Sequence, residues 1–246
     1  MKIQAARRKR QRKELHHFAV RQESTIFVDM AEPRKIFVTG GTGYMGQRLI
    51  AELQRRGREV CALVRAGSEH NLPANCPHVI GDGLRAETYQ QHVPPGGTFV
   101  HLIGVPHPSP AKAEQFRQID LVSVEAAVSA ATTAGINHFV YLSVAQPAPA
   151  MKAFIEIRAK GEALIRASGL NATFLRPWYV LGPGHRWPYA LLPFYWICER
   201  LPAMRESARR LGLVTLRQMI AALVWAIENP ATGVRVIDVP RIRESH

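Results

Sequence analysis

Cysteine is scarce in this 246-residue chain. Cys61, Cys76 and Cys198 are odd in number, far apart and without a C-x-x-C pair, which excludes a disulfide framework and a structural zinc site and fits a reducing, cytoplasmic setting. No apolar run approaches the ~20 residues of a membrane-spanning helix. The longest, at 189–198, is half that length and is interrupted by Pro193. No G-x-x-x-x-G-K-[ST] motif is present, so triphosphate hydrolysis on a P-loop is disfavoured, and no G-x-S-x-G supports a hydrolase elbow. The ten histidines form no H-x-x-x-H with an acid, so no metal site is expected. Acids are few, 19 against 32 Lys and Arg.

The basic excess is uneven. Residues 1–29 hold eight Lys or Arg and three acids, and so carry +5 of the net +13. The block Arg7-Arg8-Lys9-Arg10-Gln11-Arg12-Lys13 repels itself and resists burial. Three readings stay open for 1–29: an over-extended frame with Met30 as the true start, a disordered tail, or a targeting or binding segment. No apolar core of a secretory signal follows the block. No recognition-helix or RNA-binding signature accompanies the charge, so a small-molecule substrate is expected rather than nucleic acid.

With 47% apolar and 21% charged residues, the rest can bury a sizeable core. From residue 35 short apolar runs alternate with helical spacing. Strands are predicted at 35–39, 59–64, 78–80, 98–103, 138–142, 172–175 and 234–239. Helices are predicted at 44–56, 111–133, 152–167, 189–200 and 215–228. Strands apolar on both faces, separated by helices, imply an α/β fold with a parallel sheet covered on both sides.

The sharpest signal is Thr39-Gly40-Gly41-Thr42-Gly43-Tyr44-Met45-Gly46, between the first strand and the first helix. Gly40 permits the tight turn, Gly43 lets backbone approach a pyrophosphate, and Gly46 allows close helix–strand packing. The helix N-terminus, at Tyr44 and Met45, offers free N–H groups to phosphates. This is the fingerprint of a Rossmann-type, doubly wound dinucleotide-binding sheet spanning 30–240. An acid at the end of the second strand would hold the ribose 2′-hydroxyl of NAD. Arg65 stands there instead, a fork-shaped cation suited to a 2′-phosphate, so NADP(H) is expected over NAD(H).

Together these features resemble the short-chain dehydrogenase/reductase superfamily, and within it the atypical, NmrA-like group that includes the NADPH-binding accessory subunit of respiratory complex I. The resemblance covers residues 34–240 and is strong up to Gly184. It implies adenine contact at Gly81-Asp82, a ribose-side loop at Gly104, a catalytic serine at Ser143, a lysine at Lys160 and a nicotinamide-flanking segment at Arg176-Pro177. The superfamily's tyrosine, four residues before the lysine, is replaced by Glu156. Three roles remain open for this pair: a surface ion pair with Lys160 touching the cofactor ribose, Lys160 as acid/base, or Glu156 as base. The resemblance implies an oxidoreductase acting on a small apolar carbonyl, enone or quinone, or a non-catalytic cofactor-binding sensor or accessory protein.

Three of the four tryptophans fall between Trp178 and Trp196. The segment 177–230 is expected to form a small C-terminal helical substrate lobe. Its aromatic stretch reads as core packing, as an apolar pocket, or as a surface for a membrane or a respiratory complex. The 215–228 helix reads as amphipathic and packed on the core.

Overall fold

The central strand-forming runs carry little solvent-facing polarity because those strands are covered on both faces, while the edge runs are partly exposed. In the computed structural model, which describes residues 35–148, 150–183 and 201–245, nine strands occur among the described residues: β1 (Ile36–Thr39), β2 (Val60–Val64), β3 (His78–Ile80), β4 (Thr98–His101), β5 (His138–Leu142), β6 (Ala172–Arg176), β7 (Tyr179–Leu181), β8 (Leu213–Thr215) and β9 (Val234–Asp238). Seven of them form one parallel sheet in the order β3-β2-β1-β4-β5-β6-β9, and β7 pairs with β8 in a separate ribbon. The expected doubly wound α/β architecture is present.

Register sorts the core into two layers. Phe37, Phe99 and Phe139 stand opposite one another on one face. The Phe99 and Phe139 rings stack at 5.1 Å between centroids. This row packs on the small residues Ala127, Ala130 and Ala131 of helix α2 (Val122–Ala134). Val38, Val100 and Val140 form the matching row on the other face. They are covered by α1 (Tyr44–Arg55) and by a later helix, Leu216–Glu228, through Leu49, Ile50, Met219 and Leu223. Thr215 starts that later helix with a capping box to Gln218, and the helix packs on the core as its spacing predicts. The other α-helices of five residues or more among the described residues are α3 (Lys152–Ala167), α4 (Pro202–Arg210) and α6 (Val239–Arg243), with Leu216–Glu228 as α5.

Two expectations are corrected. The fourth strand ends at His101, not at 103. The stretch 111–133 is not one α-helix. A turn at Ala113–Gln115 leads into a π-helical segment, Phe116–Leu121, before α2. The wider turn fits a local demand, because it carries Asp120, a fully buried carboxylate with partners on two other elements. The tail 1–29 and the helix expected at 189–200 lie outside the described residues.

The chain runs outward from β1 to β3, then returns to place β4 on the other side of β1. That reversal opens a crevice beyond the C-terminal ends of β1 and β4, where open α/β sheets bind ligands.

Candidate functional site

The loop after β1 lies at this reversal. Gly40 has φ +78°, and a Cβ there would meet the Leu102 carbonyl carbon at 2.8 Å, so the loop rests directly on the end of β4. Gly43 caps α1 without a side-chain hydrogen bond, so no capping side chain stands between the helix end and a ligand. Gly46 sits against the loop itself, and a Cβ there would drive into the Gly40 carbonyl and within 2.7 Å of Gly41 Cα. Thr42 contributes through its backbone, its carbonyl accepting from Gln47 Nε2 at 3.0 Å. An uncapped helix end over a loop with no room for side chains suits a pyrophosphate.

A cleft of about 490 Å³ opens over this loop. Gly40, Gly43, Tyr44, Met45 and Gly46 form one side. Leu102 and Gly104–Pro108 follow from β4, and Leu142–Val144 from β5. Met151, Phe154 and Arg158 come from α3 and its approach, and Pro177–Val180 from the chain after β6. The lining is mostly apolar.

Two buried ionic networks stiffen the wall. Arg158 is only 5% exposed. Its guanidinium donates to Asp120 Oδ1 at 2.6 Å and to the Leu142 carbonyl at 2.8 Å. Asp120 Oδ2 accepts the Val105 N–H at 3.0 Å, which ties the loop after β4 to the same pair. Burial pushes the Asp120 carboxyl upward, opposed by Arg158 and the Val105 N–H. Burial also works against the Arg158 charge, but Tyr141 and Asp120 outweigh it and hold the guanidinium protonated. Tyr141 lies close enough to Arg158 to interact with it electrostatically. Gly104 is required here, because a Cβ would fall on the guanidinium.

The second network centres on Glu162 of α3. It accepts from Ser143 Oγ at 2.6 Å, from Arg176 Nε at 2.8 Å and Nη2 at 2.5 Å, from Gln146 Nε2 at 3.0 Å and from Arg166 Nη2 at 3.2 Å. Burial would raise this carboxyl, but Arg176 and Ser143 outweigh it and hold it below the usual carboxylate range.

A scan against family models matches residues 40–186 to a family described as NAD(P)H-binding. The chain belongs to that NAD(P)H-binding family. It is 26% identical over 212 residues to the ceramide reductase of Caulobacter vibrioides (strain NA1000 / CB15N), a match covering 84% of this chain and 65% of that one. The chain therefore spans just under two thirds of that relative's length. Among solved structures it is similar to the Bordetella bronchiseptica enzyme WbmH in complex with NAD+, with TM-score 0.62 and 19% identity over 83% of this chain and 75% of that one. It is also similar to a short-chain dehydrogenase/reductase superfamily protein from Agrobacterium tumefaciens with bound NAD, with TM-score 0.61 and 18% identity over 83% and 77%. At those identities the likeness shows the shared Rossmann-like fold.

Of the residues singled out in the sequence, this family member brings Gly40, Gly43, Tyr44, Met45, Gly46, Gly104, Ser143 and Pro177 to the cleft. Arg65 is exposed beyond the end of β2, and its side chain makes no hydrogen bond or ion pair among the described residues. Asp82 follows β3, where its carboxylate accepts the Leu84 N–H at 3.0 Å and organises the local turn. Glu156 and Lys160 do not reach the cleft. Both are exposed, on the side of α3 turned from the sheet. At 3.6 residues per turn, a shift of two positions swings a side chain about 200° around the helix. The residues four apart that face the cleft are Phe154 and Arg158. The signal for them was the inward stripe Phe154, Ile157, Arg158, Gly161 and Ile165, which a search for a lysine passes over. Asp120 and Glu162 were also missed, because each acquires its role from partners distant in sequence.

Behind the cleft His101 is fully buried, bonded through Nδ1 to Thr39 Oγ1 at 2.8 Å and through Nε2 to Ser123 Oγ at 3.2 Å. Burial, with the Arg158 charge adding to it, pushes this imidazole down to about 3. Below pH 6.5 the unfolded chain therefore takes up a proton at His101 that the folded chain refuses, and stability falls as pH falls. Between pH 7 and pH 5 this site alone is expected to remove about 2 kcal/mol. Urea unfolding at the two pH values measures the loss, and the loss is expected to be about 2 kcal/mol smaller in His101→Asn.

Proposed function

We propose that the protein binds NADP(H) across the glycine loop and works as an oxidoreductase of the atypical short-chain dehydrogenase/reductase kind on a small apolar carbonyl, enone or quinone. The observation that carries this reading is the cleft: a mostly apolar chamber whose described lining includes the fixed cation Arg158, opening beside a helix end that no side chain caps, at the reversal of the sheet. A 26% identical relative named ceramide reductase supports reduction of an apolar substrate. Gly40, Gly43 and Gly46 would seat the pyrophosphate, and Arg65 would meet the 2′-phosphate. Bound NADPH supplies hydride.

The residues of the wall position and polarise rather than relay protons. Phe154 carries none, and Arg158 does not release one at working pH. The Ser143 hydrogen is directed to Glu162. The proton is left to water or to a rim group such as Tyr179 or His107, both of which line the cleft.

Phe154 also favours a second reading, in which the protein binds the dinucleotide without turnover. It would then serve as a redox sensor or as an accessory subunit of the kind found in the NmrA-like group. Calorimetric titration of the full chain tests the common ground. NADPH is expected to bind more tightly than NADH, and Arg65→Ala is expected to weaken NADPH about tenfold while leaving NADH unchanged, since hydrogen bonds to charged groups contribute about 1.5–3 kcal/mol. Equal affinities would remove the role given to Arg65. Steady NADPH consumption with an enone and quinone panel supports the oxidoreductase, and tight binding without consumption supports the sensor.

A further inference from the structure

The Ser143 hydroxyl has a fixed polarity. Its neighbour Glu162 is surrounded by groups that can only donate: the Arg176 and Arg166 guanidinium groups and the Gln146 amide nitrogen. A carboxylate flanked by two guanidinium groups carries no hydrogen to give back, so the 2.6 Å contact is Ser143 O–H to Glu162 Oε1. The serine's hydrogen is thereby spoken for, and what remains for a ligand is its oxygen lone pairs. Ser143 lines the cleft at the end of β5 and is 5% exposed. A ketone or quinone oxygen only accepts, and so finds no partner there.

We propose that Ser143 is a specificity-determining hydrogen-bond acceptor in this cleft, selecting ligands that present a hydroxyl or amide N–H, and that Glu162 is the positioning residue that sets this polarity. The inference deepens the oxidoreductase reading and rests on it for the cofactor. The selected donor has two sources, the carboxamide of the nicotinamide or a hydroxyl of the substrate. In the second case the site favours the alcohol over the carbonyl of a redox pair. Arg158 agrees with a neutral ligand, because its charge is already balanced by Asp120.

Two matched pairs of probes, titrated into the full chain, separate the sources. NADPH is compared with its 3-acetylpyridine analogue, in which a methyl replaces the amide NH2. In a second arm, with NADP+ present, decan-2-ol is compared with decan-2-one. The parent chain is expected to prefer the donor-bearing member of at least one pair by about five- to tenfold. Ser143→Ala is expected to erase that preference by weakening the donor-bearing member alone. This variant leaves Glu162 its bonds to Arg176, Arg166 and Gln146, so the fold is retained. Glu162→Gln turns one of the two acceptor oxygens into a donor, so the direction of the Ser143 hydroxyl is no longer fixed, and the preference is expected to relax with Ser143 still present, a result that simple loss of packing would not give. The proposal is overturned if the parent shows no preference in either pair, or if Ser143→Ala leaves the preference intact. If neither dinucleotide binds the parent, the cofactor reading fails instead, and the decanol pair, titrated without cofactor, decides the role of Ser143.

Discussion

Arg158→Leu is expected to lower the unfolding free energy by about 3–5 kcal/mol, the usual cost of leaving one member of a buried ion pair alone. Asp120 is fully buried, and with Arg158 gone its carboxyl keeps only the Val105 N–H as a partner among these contacts. The Leu142 carbonyl loses its donor as well. The second substitution Asp120→Asn, made on top of Arg158→Leu, is expected to restore most of the loss, because a neutral amide can stay buried against Val105 at far lower cost. A double-mutant cycle by urea unfolding measures both. If Arg158→Leu cost less than about 1 kcal/mol, the pair would not be the structural tie drawn above. Arg158 also lines the cleft and holds the Leu142 carbonyl beside it, which the second substitution does not restore, so dinucleotide affinity is expected to fall in both the single and the double variant. Stability and binding therefore separate in the double.

Gly46→Ala is expected to abolish dinucleotide binding in practice, with a loss of about a hundredfold or more, because displacements near 1 Å at a positioned site carry costs of that order. The added methyl meets backbone, at the Gly40 carbonyl and at Gly41 Cα 2.7 Å away, and backbone cannot rotate aside as a side chain does. Either α1 or the loop must lift, which separates the helix end from the turn that presents the phosphates to it. The accompanying stability loss is expected near 1–3 kcal/mol, the range for overpacking a tight contact. Gly57→Asn is the control. Gly57 has φ +68°, a conformation Asn tolerates, and a Cβ there meets nothing within 4 Å. Calorimetry with NADPH and thermal unfolding are expected to separate the two variants, with binding intact in Gly57→Asn.

The parts legible from the sequence are those set by neighbours along the chain. The central parallel strands are buried on both faces over four or five residues, and short apolar runs located every strand of the main sheet, with the fourth overrun by two residues. The glycine loop was equally legible. A turn at Gly40, an open backbone at Gly43 and a contact at Gly46 are consequences of spacing within eight residues. The amphipathic 215–228 helix follows from its apolar spacing, and its Thr215–Gln218 cap is equally local.

What the tertiary structure decided is which side chains meet. Periodicity gives a helix its inward stripe, but it does not say which residue on that stripe reaches a cleft, because that depends on where the helix crosses the sheet. Looking for a lysine on α3 led to Lys160 and Glu156, while the packed face brought Phe154 and Arg158 to the cleft. Asp120 acquired its partner only because a π-helical turn carried it inward toward an arginine 38 residues away in sequence. Ser143 was visible as a candidate, yet its polarity was not. A hydroxyl can donate or accept, and only Glu162, 19 residues further on and held ionised by two arginines from different elements, fixes which it does.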